Sequence, residues 1–220
     1  HGGFLDQVQL FDPSVFAISS AEAAVMDPQQ RLTLETSYQA LLPSGMNQVA
    51  MDGSPTGVFL GIQSNEYTTI VASSPGATSV YASTGAAHAV ASGRLSFCFG
   101  LEGPCAAYDT ACSSGLVATH AASSALFRTE CNFAVAAGIN LILLPGASIG
   151  CAVAGMTSAK GRCHTFDQRA DGYGRSEACG VLVISTEGTQ RDSIAGSAVR
   201  SDGRSASLTA PNGQAQQHLL

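Results

Sequence analysis

The distribution of apolar and polar positions divides the chain into short alternating elements. Phe11-Asp12-Pro13 and the apolar positions after it predict a loop with a short helix. Asp27-Pro28 is a helix start, because aspartate can cap and proline fits the first turn. The run from Gln29 to Leu42 is broadly amphipathic, with Leu32, Leu34, Tyr38, Leu41 and Leu42, and it ends at Pro43 and Gly45. GVFLGI at 57–62 predicts a buried strand, and 64–83 reads as polar and irregular with a turn at Pro75-Gly76. A small-residue helix is expected from Thr84 to Ser92, closed by Gly93, followed by a strand from Leu95 to Phe99. Strands are expected at 105–109 and 133–139, with an alanine-rich helix running to Phe127 between them. Beyond these come a helix at 149–157 and strands at 179–185 and 194–199, the last two divided by a polar turn around Gly188 and Asp192. Strand, helix and strand in succession make a parallel α/β pattern. No internal repeat, low-complexity tract or linker divides it.

Composition narrows the class. Of 220 residues 45% are hydrophobic and only 12% charged, so much of the chain faces other protein rather than water. With 24 glycines the packing is expected to be tight and the turns short. A formal charge of −6, a single lysine (Lys160) and no basic cluster argue against a nucleic-acid face. No stretch has the length and apolarity of a membrane span, and no signal-peptide pattern opens the chain. The chain starts at His1 and stops in what reads as a new helix at 217–220, so a fragment of a longer protein is expected.

Seven cysteines with no CxxC pair suit neither a disulfide framework nor zinc, and no metal site is expected. Six are expected to be reduced and buried, in an intracellular protein. Cys112 is different. It lies in Asp109-Thr110-Ala111-Cys112-Ser113-Ser114-Gly115, between a predicted strand and a predicted helix. Small residues on both sides let the backbone turn sharply and leave a side chain exposed, the cysteine counterpart of a serine elbow. A helix N-terminus favours thiolate by about 0.3–1 kcal/mol, or ~2 when partly buried. Against an ordinary thiol pKa of about 8.5, that alone does not make a strong nucleophile.

His120 cannot complete a dyad with Cys112, since eight residues of helix span about 12 Å. It reads as structural, His88 as a satisfied buried or surface histidine, and His164 as a loop residue. Asp109, at a strand end, is expected to bond the backbone of the turn. The glycine-rich turn of Asp171, Gly172 and Gly174 is not a phosphate cradle, because no strand precedes it and no helix follows it. Asp167 and Arg169 are expected to support a loop, and Glu177 to be paired inside.

DTACSSG at 109–115 resembles the active-site segment of β-ketoacyl synthases, most closely the ketosynthase domains of polyketide synthases. MDPQQRL at 26–32, GVFLG at 57–61, GRLSF at 93–97, INLIL at 139–143, AGM at 154–156, GRCHTFD at 161–167, ADGYGRSE at 170–177 and DGRSASLTAPNGQAQ at 202–216 follow in the family's order over nearly the whole chain. The resemblance implies the thiolase-like layered α/β fold (αβαβα). Residues 1–220 would supply most of its N-terminal half and the start of its C-terminal half. It implies acyl transfer to Cys112, whose N–H serves in the oxyanion hole, and then decarboxylative Claisen condensation with a malonyl-type extender. Both acyl units would arrive as thioesters on the phosphopantetheine arm of an acyl carrier protein. No bound cofactor is implied. A homodimer and a cytoplasmic location are implied, with an organelle kept open. Met156 matches a position bordering the acyl pocket.

The family's two catalytic histidines, lysine and Gly-Phe-Gly-Gly loop belong to a later part that cannot be mapped here. Departures cluster at the elbow, where Tyr108 replaces a small aliphatic residue, Gly115 a serine and Thr119 a leucine. Ser176 and Ala178 stand in a segment that is usually richer in glycine. Animal-type fatty-acid synthases, a decarboxylating or non-elongating ketosynthase, and a non-catalytic relative remain as alternatives. A thiolase or chalcone-synthase-like enzyme would lack GRCHTFD and LTAPNG.

Overall fold

The computed structural model describes residues 1–186 and 192–219, in two compact units, His1–Thr186 and Glu187–Leu220. In chain order the first unit contains β1 (Gly2–Gly3), α1 (Ser20–Ala23), α2 (Pro28–Leu41), α3 (Gln48–Met51), β2 (Thr56–Ile62), α4 (Glu66–Ala72), α5 (Ala82–Ala86), α6 (His88–Phe99) and β3 (Cys105–Tyr108). It continues with α7 (Ser114–Phe127), β4 (Phe133–Asn140), α8 (Pro145–Val153), β5 (Arg175–Ser176) and β6 (Ala178–Ser185). Among its described residues the second unit holds one short helix, α9 (Gly213–Gln217), whose N-cap Asn212 accepts from the Gln214 and Ala215 N–H groups.

The main sheet runs β3-β2-β4-β6, and β1 pairs with β5 in a separate two-residue ladder. The strand β2 is parallel to both β3 and β4, with Gly61 opposite Tyr108 and Gly138, while β6 returns antiparallel to β4. Every residue of β2 is buried, which is why its sequence shows no alternation: both faces are covered. Phe59 joins Ala118, Ala122, Ala125 and Leu126 of α7 and Ala134 and Ala136 of β4 on one face. Val58 packs with Leu34, Leu95, Phe99 and Val135 on the other, and Leu60 and Ile62 with Ala91, Ala137 and Ile139. Helix, sheet and helix thus form three layers.

Asp27 and Pro28 open α2 as expected, with Asp27 Oδ1 accepting from the Gln29 N–H at 2.8 Å. The buried glutamines that follow serve distant backbone. Gln29 Nε2 donates to the Ser64 carbonyl (2.9 Å) and its Oε1 accepts from the Leu141 N–H (3.3 Å). Gln30 donates to the Thr84 carbonyl and accepts from Arg94 Nε at 2.8 Å, while Arg94 also pairs with Glu22.

Several expectations need correction. Residues 95–99 are not a strand: α6 is continuous through Gly93 and ends at Gly100 in the left-handed region (φ 70°). The alternation of Leu95, Phe97 and Phe99 imitates a strand, but Ala91, Leu95 and Phe99 are buried at helical spacing and Phe97 is 87% exposed. The polar stretch 64–83 contains α4, a 3-10 turn at Pro75–Thr78 and the start of α5; helices of five to seven residues are too short to register as a periodicity. The helix expected at 149–157 is α8, shifted toward Pro145, which occupies its first turn. Residues 194–199 form no strand, because no partner strand lies beside them among the described residues. Gly188 lies outside the described residues.

Candidate active site at the elbow

Cys112 sits in the connection between β3 and α7, and its thiol is exposed. The strand brings the chain to the carboxyl end of the sheet, beside the ends of β2 and β4, where open α/β sheets hold their ligands. The turn is made at Ala111, which takes a left-handed conformation at φ 56°. That conformation costs a non-glycine residue about 1–2 kcal/mol, so its neighbours must hold it.

They do so with a ring of hydrogen bonds. Asp109 Oδ1 accepts from the Ala111 N–H at 3.1 Å, the backbone role expected of it. Ser114 Oγ accepts from the Thr110 N–H (2.9 Å) and donates to the Ala111 carbonyl (2.6 Å). Ser113 Oγ donates to the Thr110 carbonyl at 2.8 Å. The residues on either side of Cys112 make these bonds, leaving the thiol outside the network. Ser114 is the first residue of α7 and only 5% exposed. Its role was missed in the sequence, although a serine four residues beyond Thr110 at a helix start is the available signal.

Glycine permits the close seating of α7. A Cβ at Gly61 would stand 2.5 Å from the Gly115 nitrogen and the Ser114 carbonyl carbon. On the next strand, Gly138 faces Gly115 across the same contact.

The other loops at this end of the sheet are tied by side chains. Glu66 Oε2 accepts from the N–H groups of Leu143 (2.7 Å) and Leu144 (2.8 Å). Glu177, expected to be paired inside, instead accepts from the backbone of Leu5 and Ile142, both at 2.9 Å. His88 Nε2 lies 3.1 Å from the Ser64 carbonyl, so it is a satisfied histidine. His120 is partly buried along α7, and His164 lies in a loop. Asp167 and Arg169 form a local ion pair. Met156 follows α8, is 46% exposed, and shares a backbone bond with Tyr173; no hydrogen bond described links it to the elbow. Among the described residues no group of three His, Cys, Asp or Glu side chains could hold a metal ion.

The cysteines differ from expectation. All seven are free, but only Cys131 is buried; Cys98, Cys151 and Cys179 are partly buried, and Cys105 and Cys163 are as exposed as Cys112. Cys105 is exposed because β3 is the edge strand. Burial pushes the thiols of Cys98, Cys131 and Cys179 above the ordinary value. Burial likewise raises the Asp27 carboxyl, against the opposing bonds from Gln29.

Similarity to known proteins places the fold and the family. Residues 1–189 match the model of the β-ketoacyl synthase N-terminal domain. Polyketide synthase GfsB of Streptomyces halstedii is 44% identical over 227 residues, covering 100% of this chain and 4% of that synthase. Erythronolide synthase EryA3 of Saccharopolyspora erythraea is 44% identical over 226 residues, covering 100% of this chain and 7% of that synthase. The ketosynthase from module 6 of the bacillaene synthase of Bacillus subtilis 168 superimposes with a TM-score of 0.86 at 35% identity, over 98% of this chain and 38% of that structure. The chain therefore spans a small part of these synthases and just over a third of one ketosynthase. On the family match, the identities and the layered fold together, the chain belongs to the β-ketoacyl synthase family, with the thiolase-like ketosynthases of polyketide synthases.

Proposed function

We propose that this chain carries the acyl-accepting centre of a polyketide ketosynthase and that Cys112 is its nucleophile. The observation that carries the reading is the exposed thiol at a braced bend between β3 and α7. In the first half-reaction the Cys112 thiolate attacks a thioester carbonyl. A new S–C bond forms, the bond to the carrier sulfur breaks, and the departing thiolate takes a proton. The Cys112 N–H is proposed as one donor to the oxyanion that forms meanwhile. Thioester exchange is close to balanced in free energy, so the acyl group stays electrophilic on the enzyme.

In the second half-reaction a malonyl-type thioester loses carbon dioxide. Its α-carbon attacks the acyl carbonyl, a C–C bond forms, and the Cys112 thiolate leaves. Residues 1–220 alone are proposed to load weakly and not to condense, as a ketosynthase domain fragment. The partners are an acyl carrier protein, whose phosphopantetheine arm presents both thioesters, and a second copy of the chain. The edge of β3, without a partner strand among the described residues, supports a dimer. Met156, half exposed after α8, is proposed to border the acyl pocket. Seven unpaired thiols fit a reducing, cytoplasmic setting. No helix among the described residues is long and apolar enough to cross a membrane.

Loading of the full-length synthase from an acyl-carrier thioester tests the reading. Cys112→Ala abolishes loading if the assignment is right, and undiminished loading overturns it. Adding malonyl-carrier then separates an elongating enzyme, which forms the β-ketoacyl product, from a non-elongating one that loads without condensing.

A further inference from the structure

We infer that Ser114 is a positioning residue for acyl transfer: its shielded hydroxyl holds the left-handed bend at Ala111 and so sets the direction of Cys112. The inference rests on Cys112 being the acyl acceptor. Three hydroxyl or carboxylate groups brace the bend, but they differ in surroundings. The bonds of Asp109 and Ser113 lie in the open, where water can replace a lost partner. Ser114 is 5% exposed and its hydroxyl is used twice, accepting from the Thr110 N–H and donating to the Ala111 carbonyl. It therefore spans the bend from one side to the other, two residues after the nucleophile.

The remainder of Ser114 cannot shift to compensate. Its main-chain carbonyl is pressed against β2 at Gly61, where even a Cβ would come within 2.5 Å of the carbonyl carbon. The hydroxyl thus links a fixed point, the first residue of α7 on the sheet, to a strained one, Ala111. A serine at 114 does what a proline or glycine at a turn cannot: it satisfies both faces of the bend while leaving the intervening thiol uncovered. Misplacement of a reacting group by about 1 Å costs on the order of 100-fold in rate.

The test uses the full-length synthase and two reactions of the same thiol. Acylation by an acyl N-acetylcysteamine thioester needs both the thiolate and the oxyanion donor, whereas alkylation by iodoacetamide needs the thiolate alone. Ser114→Ala is expected to slow acylation of Cys112 ~10- to 100-fold while alkylation stays within about threefold. Ser114→Thr, which keeps the hydroxyl, restores most of the acylation rate, and Ser113→Ala changes it less than about threefold because water substitutes. A Ser114→Ala protein that acylates at the parent rate overturns the inference. So does one whose acylation and alkylation fall together in proportion to lost folded protein, the mark of a merely structural role.

Should Ser114→Ala not accumulate, amide hydrogen exchange on the unmodified synthase decides. Thr110 N–H protection of at least about tenfold is expected, and exchange at the free-amide rate overturns the inference. Loading by Cys112→Ala would remove the nucleophile reading itself. Full-rate loading by Ser114→Ala with an inert Cys112→Ala removes only the role of Ser114.

Discussion

Gly61 and Gly115 meet where strand β2 passes under the first turn of α7, and a Cβ on Gly61 would lie 2.5 Å from the Gly115 nitrogen. The contact is one-sided. A Cβ on Gly115 would meet only the Gly138 Cα, at an ordinary 3.8 Å.

Gly61→Ala should therefore destabilise the domain by roughly 1–3 kcal/mol, because neither the strand nor the helix backbone can move aside. Gly115→Ala should be neutral or stabilise by about 0.4–1 kcal/mol, since the helical position accepts a side chain and the unfolded chain loses freedom. Denaturant unfolding of the two variants checks the asymmetry; equal losses would contradict it. The same space would admit the side chain of a serine at position 115.

Cysteine alkylation at neutral pH should divide six of the seven thiols by exposure, with the half-buried Cys151 between the two groups. Cys112 and Cys163 are open to reagent, and Cys105 is open wherever the β3 edge is not covered by a second copy, while Cys98, Cys131 and Cys179 are shielded and held protonated by burial. Peptide mapping after brief iodoacetamide treatment should show the last three lagging at least about tenfold. Early modification of Cys131 would mean that the α7 face of the sheet opens in solution.

The Asp27 carboxyl gives a pH dependence of definite sign. Burial raises its pKa from the ordinary 3.8, so the folded state holds this proton more tightly than the unfolded chain. Its contribution to stability falls as pH rises from 3.8 through the raised value, and is flat above it. Asp27→Asn keeps an oxygen for the Gln29 N–H and removes this slope. It also loses the acceptor for Gln29 Nε2, worth about 1 kcal/mol. Denaturation midpoints across the acid range, compared between parent and variant, check the sign.

Arg94→Ala should cost about 2–3 kcal/mol. The side chain is 7% exposed as a residue and bonds both Gln30 and Glu22, so its removal strands two acceptors. The loss stays below that of a fully buried pair because the Glu22 side chain is 23% exposed. Thermal unfolding measures it; a change under 0.5 kcal/mol, roughly the scale of a surface substitution, would contradict the buried network.

What the sequence determined by itself was local. Asp27-Pro28 set the start of α2, GVFLGI the central strand, and small residues around Cys112 the bend, since each depends on neighbours a few positions apart. The order of motifs was also legible, and with it the family. Tertiary structure decided the rest. Only long-range packing could show that Leu95 and Phe99 belong to one helix, because their alternation fits a strand as well until the buried face is known. Only the sheet order could show that β3 is an edge, leaving Cys105 as open to solvent as Cys112. The brace at Ser114 depends on where α7 is seated, and Gly61, more than fifty positions earlier in the chain, controls that seating by steric contact.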